Sequence, residues 1–303
     1  MDFYSGMTWR KPSFRIILGT DNTTANGKSR IVSLEYTPYV PVKRYLLEIS
    51  YDGTNYCGWQ IQPHSPSVQE VIQNRMFKFY DRQPIHLIGA SRTDTGVHAK
   101  RFAASFLAPE RPAIPMERIF KALNRQLPED IKIHSIREVP LDFHARYEAR
   151  GKAYTYVINL GGLSPFNSRY SWKPIHEMDV EKIRAASQEL TGTHDYSSFV
   201  VERSMIDDAV RTIYRIETQV VGQFCCVTFI GNGFLYKMIR CLMGTLEAAG
   251  SGKLAPADVR EILEAKNRLK APETAPPNGL FLMKVFYDQQ ELETYQPEGI
   301  PFL

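Results

Sequence analysis

The run Ile88-Gly89-Ala90-Ser91-Arg92-Thr93-Asp94-Thr95-Gly96-Val97-His98-Ala99 passes from an apolar segment into a cluster of small, hydroxylic and charged residues. Its flanks read as strands, roughly 85 to 90 and 102 to 107, so the cluster occupies the connection between them. Asp94 lies at its centre, with Arg92 two residues before it and Gly96 two after. Read locally, Thr-Asp-Thr-Gly is an Asx-stabilised turn, because Asp bonds its own backbone and Gly supplies positive φ. The same turn can also present an ionised carboxylate to a substrate. The local pattern by itself favours the structural turn.

Working outward, Tyr45, Leu47, Ile49 and Tyr51 fall on one face of a period-two run that stops at Asp52-Gly53, a strand followed by a turn. Ser67-Val68-Gln69-Glu70 offers a capping box, and Val68, Val71, Ile72, Met76 and Phe79 then recur at helical spacing. Beyond the central run, a helix is expected near 115 to 127, with Ile119, Phe120, Leu123 and Leu127 on its apolar stripe, and a strand near 131 to 138. The order is β-α-β-β-α-β, a split βαβ unit. From about 144 the order recurs: a strand at 152 to 160, a helix after Asp179, strands near 212 to 220 and 224 to 230, helices near 234 to 249 and 257 to 266, and a last strand at 280 to 287. The halves share no obvious sequence, so the repeat is one of topology. Two such units side by side merge their sheets and leave a cleft at the junction, where sites usually lie. The segments Gly192 to Phe199 and Asp207 to Arg211 read as loops.

This gives an α+β fold with residues 44–143 and 144–288 as two ferredoxin-like halves. Residues 1–43 form an N-terminal extension or docking arm without sustained periodicity, expected to be flexible, and residues 289–303 a tail that packs or frays. The chain has 303 residues and a net charge of +4, so it is no polycation, and nucleic acid is allowed without being required. Cys57, Cys225, Cys226 and Cys241 show neither C-x-x-C spacing nor a histidine pattern, so neither zinc nor a disulfide framework is indicated. No apolar run long enough for a membrane span and no signal organisation is present, and the expected setting is a reducing cytoplasm.

Four places combine charge with aromatic residues: Arg92 with Asp94; Phe143-His144-Ala145-Arg146; Lys152-Ala153-Tyr154-Thr155-Tyr156; and Gly231 to Arg240. Each also has a structural reading. Tyr154, Tyr156 and Ile158 share a strand face, so at least one tyrosine belongs to the core. His144 is first a structural histidine. Arg240, on a helix with Phe234, Met238, Leu242 and Leu246, either reaches solvent or meets a carboxylate. Lys100, Arg101, Arg146, Arg150, Lys152, Arg169, Lys173, Arg203, Arg211 and Lys237 lie near expected loops or element ends, where a polyanion could reach them. No Walker loop, G-x-G-x-x-G or H-E-x-x-H occurs, which leaves side-chain chemistry or plain binding.

With these pieces in place, residues 44 to 288 resemble the tRNA pseudouridine synthase A family. The matching segments are Tyr51 to Gln60, Ser91 to Ala99, Asp142 to Arg146, Lys152 to Tyr156, Gly192 to Phe199, Gly233 to Arg240 and Gly279 to Leu282, in the family's order. The resemblance implies two ferredoxin-like halves related by a pseudo-twofold, an extended antiparallel sheet with helices on one face, a basic cleft between the halves, and a homodimer. It also implies isomerisation of uridine at positions 38 to 40 of the tRNA anticodon stem-loop, without metal or cofactor. Carried over residue by residue, Asp94 is the nucleophile, Arg92 helps displace the target nucleotide, Tyr154 stacks on the uracil and Arg240 pairs with Asp94. Lys100, Arg101, Arg146, Lys152, Arg211 and Lys237 are the candidate phosphate contacts. This chain has Ser91 and Thr95 where the family usually has Gly and Ala, which bears on the fit to the uridine rather than on the reaction. A non-catalytic RNA-binding protein on the same fold is the main alternative, although the RNP1 pattern is absent. A carboxylate-dependent hydrolase would want a second acid or base beside Asp94, and that segment has no paired carboxylate.

Overall fold

Period-two alternation buries Tyr45, Leu47, Ile49 and Tyr51 on one face of the strand Lys43–Tyr51, here β3, and turns Leu46, Glu48 and Ser50 to the other. The computed structural model describes residues 15–19, 30–35, 43–109, 114–201 and 207–303. Ahead of β3, in a separate unit Met1–Val42, β1 (Arg15–Gly19) and β2 (Arg30–Glu35) pair antiparallel. The expected N-terminal arm thus contains a strand pair, and its other residues lie outside the described ones.

The helix α1 (Val68–Phe79) starts as its sequence indicates. Ser67 accepts the Glu70 N–H at 3.3 Å, and Val68, Ile72 and Met76 face inward, each burial stabilising by about 1.5–3 kcal/mol. The strand expected at 85 to 90 contracts to β4 (Ile88–Gly89). The reason lies in α1: Gln73 Oε1 accepts the Leu87 N–H at 2.9 Å, and Gln69 Nε2 donates to the Leu87 carbonyl at 2.8 Å. These side chains take the hydrogen bonds that a neighbouring strand would supply. Next come β5 (His98–Ala108), α2 (Met116–Gln126), with Ile119 and Leu123 buried, and β6 (Ile131–Val139).

The second set opens with β7 (Gly151–Asn159), buried along its whole length. It continues with α3 (Val180–Gln188), N-capped by Asp179 as expected, then β9 (Val210–Val221), β10 (Phe224–Gly231), α4 (Met238–Gly250), α5 (Pro256–Glu264) and β11 (Leu280–Phe286). Two expectations change here. Gly192–Asp195, read as loop, is the strand β8 and pairs with the start of β9. The helix expected from 234 begins only at Met238, because Lys237 has φ +57°, a left-handed conformation that cannot continue a helix.

The main sheet runs β6-β3-β5-β11-β7-β10-β9-β8, with β4 beside β5. In β6-β3-β5-β4 and again in β11-β7-β10-β9, the first strand of the set lies between its fourth and third, the ferredoxin-like order. The pairing is antiparallel except at the junction, where β11 runs parallel to β5 with Phe281 opposite His98 and Leu282 opposite Ala99. Short β4 pairs only with Ser105 and Ala104, so the other end of β5 is open to β11 and the two sets form one sheet.

Helices α1 to α5 cover one face, packing on Leu47, Phe102, Tyr154, Tyr156 and Phe229. The opposite face of the second set, including Ala153, Val157, Cys226 and Phe281, is covered by Leu292 of α6 (Gln289–Thr294) and by Ile300 and Phe302. The tail therefore packs. All four cysteines are free thiols, and burial pushes Cys225 up to about 11 and Cys226 up to about 12. Among the described residues no helix is long and apolar enough to cross a membrane.

Candidate active site

The connection between β4 and β5 is held from three sides. Tyr51 of β3 exchanges a 2.9 Å hydrogen bond with the Thr93 hydroxyl, and the Trp59 N–H donates to the Thr93 carbonyl at 3.3 Å. From β7, the Tyr154 hydroxyl meets Ser91 Oγ at 2.8 Å, and Lys152 Nζ donates to the Ala90 carbonyl at 2.8 Å. The turn itself closes through its backbone, Val97 N–H to the Asp94 carbonyl at 3.1 Å, with Gly96 at φ +77° where a type II turn needs a glycine. The Asx reading is thereby corrected: the Asp94 side chain is not spent on closing the turn.

Its partner lies 146 residues away. Arg240, in the first turn of α4, donates from Nη1 to Asp94 Oδ2 at 2.7 Å, with both side chains nearly buried at 14% and 13% exposure. The guanidinium is aimed by a second bond, Nε to the Ala275 carbonyl at 2.8 Å, while the Ala275 N–H returns to the Arg240 carbonyl at 3.0 Å. The segment carrying Ala275 is pinned in turn by the Tyr156 hydroxyl, which donates to the Pro276 carbonyl at 2.7 Å. Gly244 lets that segment lie against α4, since a Cβ there would stand 1.8 Å from the Glu273 carbonyl oxygen. Above the ion pair is a recess lined by Ser91, Arg92, Asp94, Tyr154, Phe234 and Lys237. The Tyr154 ring meets Phe234 edge-on at 5.3 Å. Burial raises the Tyr154 phenol above its ordinary value, against the opposing effect of its Ser91 bond, so it stays neutral.

The family described as tRNA pseudouridine synthase matches residues 49–148 and 186–288, which takes in both partners of the ion pair. The chain belongs to the tRNA pseudouridine synthase family. As a member it is an isomerase acting on uridine in tRNA. The tRNA pseudouridine synthase A of Thermoanaerobacter sp. strain X514 is 40% identical over 247 residues, which cover 81% of this chain and 100% of that one. The one from Lacticaseibacillus casei is 41% identical over 246 residues, 80% of this chain and 99% of its own. The tRNA pseudouridine synthase A 1 of Protochlamydia amoebophila is 40% identical over 250 residues, 81% and 97% of the two chains. A solved structure titled as a Cbf5-Nop10-Gar1 complex aligns over 79% of this chain and 58% of its own at 13% identity and a TM-score of 0.33, too distant to bear on the site.

Among the synthase's candidate phosphate contacts, position separates two groups. Arg101 donates to Glu48 at 2.6 Å, and Glu48 points away from the helices, so this arginine lies on the face opposite the recess. Lys100 pairs at 3.1 Å with Glu298 of the tail that covers the same side. β5 is irregular between its pairings with Ile49 and Tyr51, and the two consecutive cations turn to the face opposite α1 to α5, the side that carries α6 and the tail. Lys152 is not a surface contact either: it is buried, with its ammonium on Ala90. Arg146 is exposed, Arg211 is half-buried, Lys237 lines the recess, and Arg92 is exposed at its edge. Arg203 lies outside the described residues. His144 is structural, its Nδ1 accepting the Arg146 N–H at 3.2 Å.

Sequence reasoning missed the Ala271 to Gly279 segment that aims Arg240. One signal for it was available: a glycine inside an apolar helix costs about 1 kcal/mol against alanine, and Gly244 carries that cost so that a backbone can approach. It also missed the glycine contact beneath Asp94. Gly58, at φ +98°, would bring a Cβ within 2.1 Å of the Thr93 carbonyl oxygen. Gly58→Ala is therefore expected to displace Thr93 and Asp94 and lower kcat about 100-fold, the usual penalty for an ångström-scale misplacement. Circular dichroism should show the fold retained, and wild-type kcat in a folded variant would disprove the positioning role.

Proposed function

We propose that this chain converts uridine to pseudouridine at positions 38 to 40 of the tRNA anticodon stem-loop, with Asp94 as the nucleophile. The reaction breaks the N1–C1′ bond, turns the base and joins C5 to C1′, so it calls for an ionised carboxylate that can form a covalent intermediate. The observation that carries this reading is the Asp94–Arg240 pair at 2.7 Å in a recess bordered by Tyr154. A plain RNA-binding surface has no need of a carboxylate aimed in this way from two distant segments. A base in a stem must leave the stack, at a few kcal/mol, and an aromatic face in the pocket returns part of that. Tyr154 is the ring offered to the uracil, and Arg92, exposed at the rim, is the group placed to help displace the nucleotide. The side chains of the recess supply this chemistry without metal or cofactor. A homodimer working in the cytoplasm completes the proposal.

The test is a map of pseudouridine in tRNA from cells with and without this protein. Loss of pseudouridine at positions 38 to 40, restored by the wild-type chain, is the expected result. Unchanged modification at those positions would refute the assignment.

A further inference from the structure

We infer that His98 is a positioning residue for the Asp94–Arg240 pair, tying the exit of the Asp94 turn through the Arg169 carbonyl to the segment that aims Arg240; the inference rests on the proposed role of Asp94. His98 opens β5, four residues after Asp94, and is buried. Its Nε2 faces the Arg169 carbonyl at 3.1 Å, and a carbonyl only accepts, so this nitrogen carries a hydrogen. Its Nδ1 is approached by the Gly53 N–H at 3.1 Å and by Asp52 Oδ1 at 3.0 Å. One ring thus joins the turn after β3, in the first set, to the connection 164–172 after β7, in the second.

Both ends of this link lead back to the ion pair. On the first side, Gly53 lies against the exit of the Asp94 turn, since a Cβ there would stand 2.0 Å from the Val97 carbonyl oxygen. On the second, Asn278 Nδ2 donates to the Ser168 carbonyl at 2.9 Å and to the Ser171 carbonyl at 2.8 Å, so the connection that carries Arg169 also holds the Ala271 to Gly279 segment. Three residues before Asn278 is Ala275, whose carbonyl accepts from Arg240 Nε. This hold adds to the Tyr156 bond at Pro276. Backbone pairing between the sets is short, Phe281 with His98 and Leu282 with Ala99, so side chains must fix how the two sets meet. Packing alone does not call for a histidine: the ring stacks on Phe281 at 4.6 Å, as a phenylalanine could. Nor does Asp52 depend on it, because that carboxylate also accepts from the Thr54 N–H at 2.9 Å, the Thr54 hydroxyl at 2.6 Å and the Tyr170 hydroxyl at 2.9 Å. What the two ring nitrogens add is a directed tie between Asp94 and the support of Arg240.

The experiment compares His98→Phe, His98→Gln, His98→Asn and Asn278→Ala with wild type in pseudouridine formation on an unmodified tRNA transcript. On the same preparations, NMR reads hydrogen exchange at the Arg240 Nε–H, assigned with Arg240→Lys. Phenylalanine keeps the stack on Phe281 and drops both polar ties. It should lower kcat about 10–100-fold, the upper end matching an ångström of misplacement, with KM little changed and with faster exchange at Arg240. Glutamine, whose amide nitrogen can reach the place of Nε2, should regain most of the kcat; asparagine reaches only the place of Nδ1 and should not. Asn278→Ala cuts the same tie at its far end and should repeat the loss, and it decides the matter if thermal melting shows that His98→Phe unfolds. Wild-type kcat and wild-type protection of Arg240 in the folded variant overturn the positioning role alone. Equal losses in the glutamine and asparagine variants with Arg240 still protected overturn it as well, leaving His98 a packing residue. Faster exchange at Arg240 in the variants of a protein that forms no pseudouridine even as wild type leaves the tie standing and overturns the proposed activity.

Discussion

Asp94→Asn is expected to abolish turnover, lowering kcat by about 10⁴-fold or more, while tRNA binding and thermal stability stay close to wild type. The substitution keeps the size of the side chain and an oxygen that can still accept from Arg240 at the present 2.7 Å. The loop should therefore not move, because its anchors are elsewhere: the Thr93 hydroxyl on Tyr51, the Thr93 carbonyl on Trp59, Ser91 on Tyr154 and Ala90 on Lys152. What disappears is the charge and the nucleophilic oxygen. An amide neither adds to a base nor attacks a sugar carbon at a useful rate, so no compensating route exists. Tritium release from C5-labelled uridine in tRNA measures turnover directly. A variant that retains wild-type release would remove Asp94 from the chemistry; one that binds tRNA normally and releases nothing supports its role as nucleophile.

The parts of this site that could be read from sequence are those with a local signature. Tyr45 to Tyr51 alternate, Ser67 caps a helix, and Asp94 lies between two apolar runs, so the elements and the turn follow from short-range rules. Lys152 shows where such rules stop. A lysine at a strand end is ordinarily a solvated cation, yet β7 is central, covered on both faces, and Lys152 is buried with it. Burial of a strand is a property of its neighbours in the sheet, and the parallel entry of β11 beside β5 that makes β7 central has no sequence period to announce it. Ser91 differs again. It stands out in the sequence as a substitution for the family's usual glycine, but only the packed structure shows its hydroxyl bonded to Tyr154. The pairing of Asp94 with Arg240 joins positions 146 apart, and family resemblance rather than periodicity supplied it.

Arg240→Ala is expected to lower kcat by about 10²–10³-fold, the range seen when one aimed donor is removed from a polar active site, with a smaller effect on stability. The two effects separate because of where the guanidinium sits. It has one bond to Asp94 and one to the Ala275 carbonyl, while the backbone of the same residue independently holds Ala275 through its N–H. Truncation leaves that backbone pair and the Tyr156–Pro276 bond in place, so the segment should stay seated. Breaking a fully buried pair costs about 3–5 kcal/mol, but the stranded Asp94 faces an open recess and can take water instead. Arg240→Lys is expected to rescue little: an ammonium keeps the charge but cannot direct two N–H groups at Asp94 and Ala275 in fixed relative geometry. The decisive measurement is the double variant Asp94→Asn with Arg240→Ala. If Arg240 acts through Asp94, the pair should be no slower than Asp94→Asn alone, because residues acting as one unit are strongly non-additive. If instead the two losses multiply, Arg240 serves the substrate directly, and its bond to Asp94 in the free protein is a resting contact that the bound nucleotide displaces.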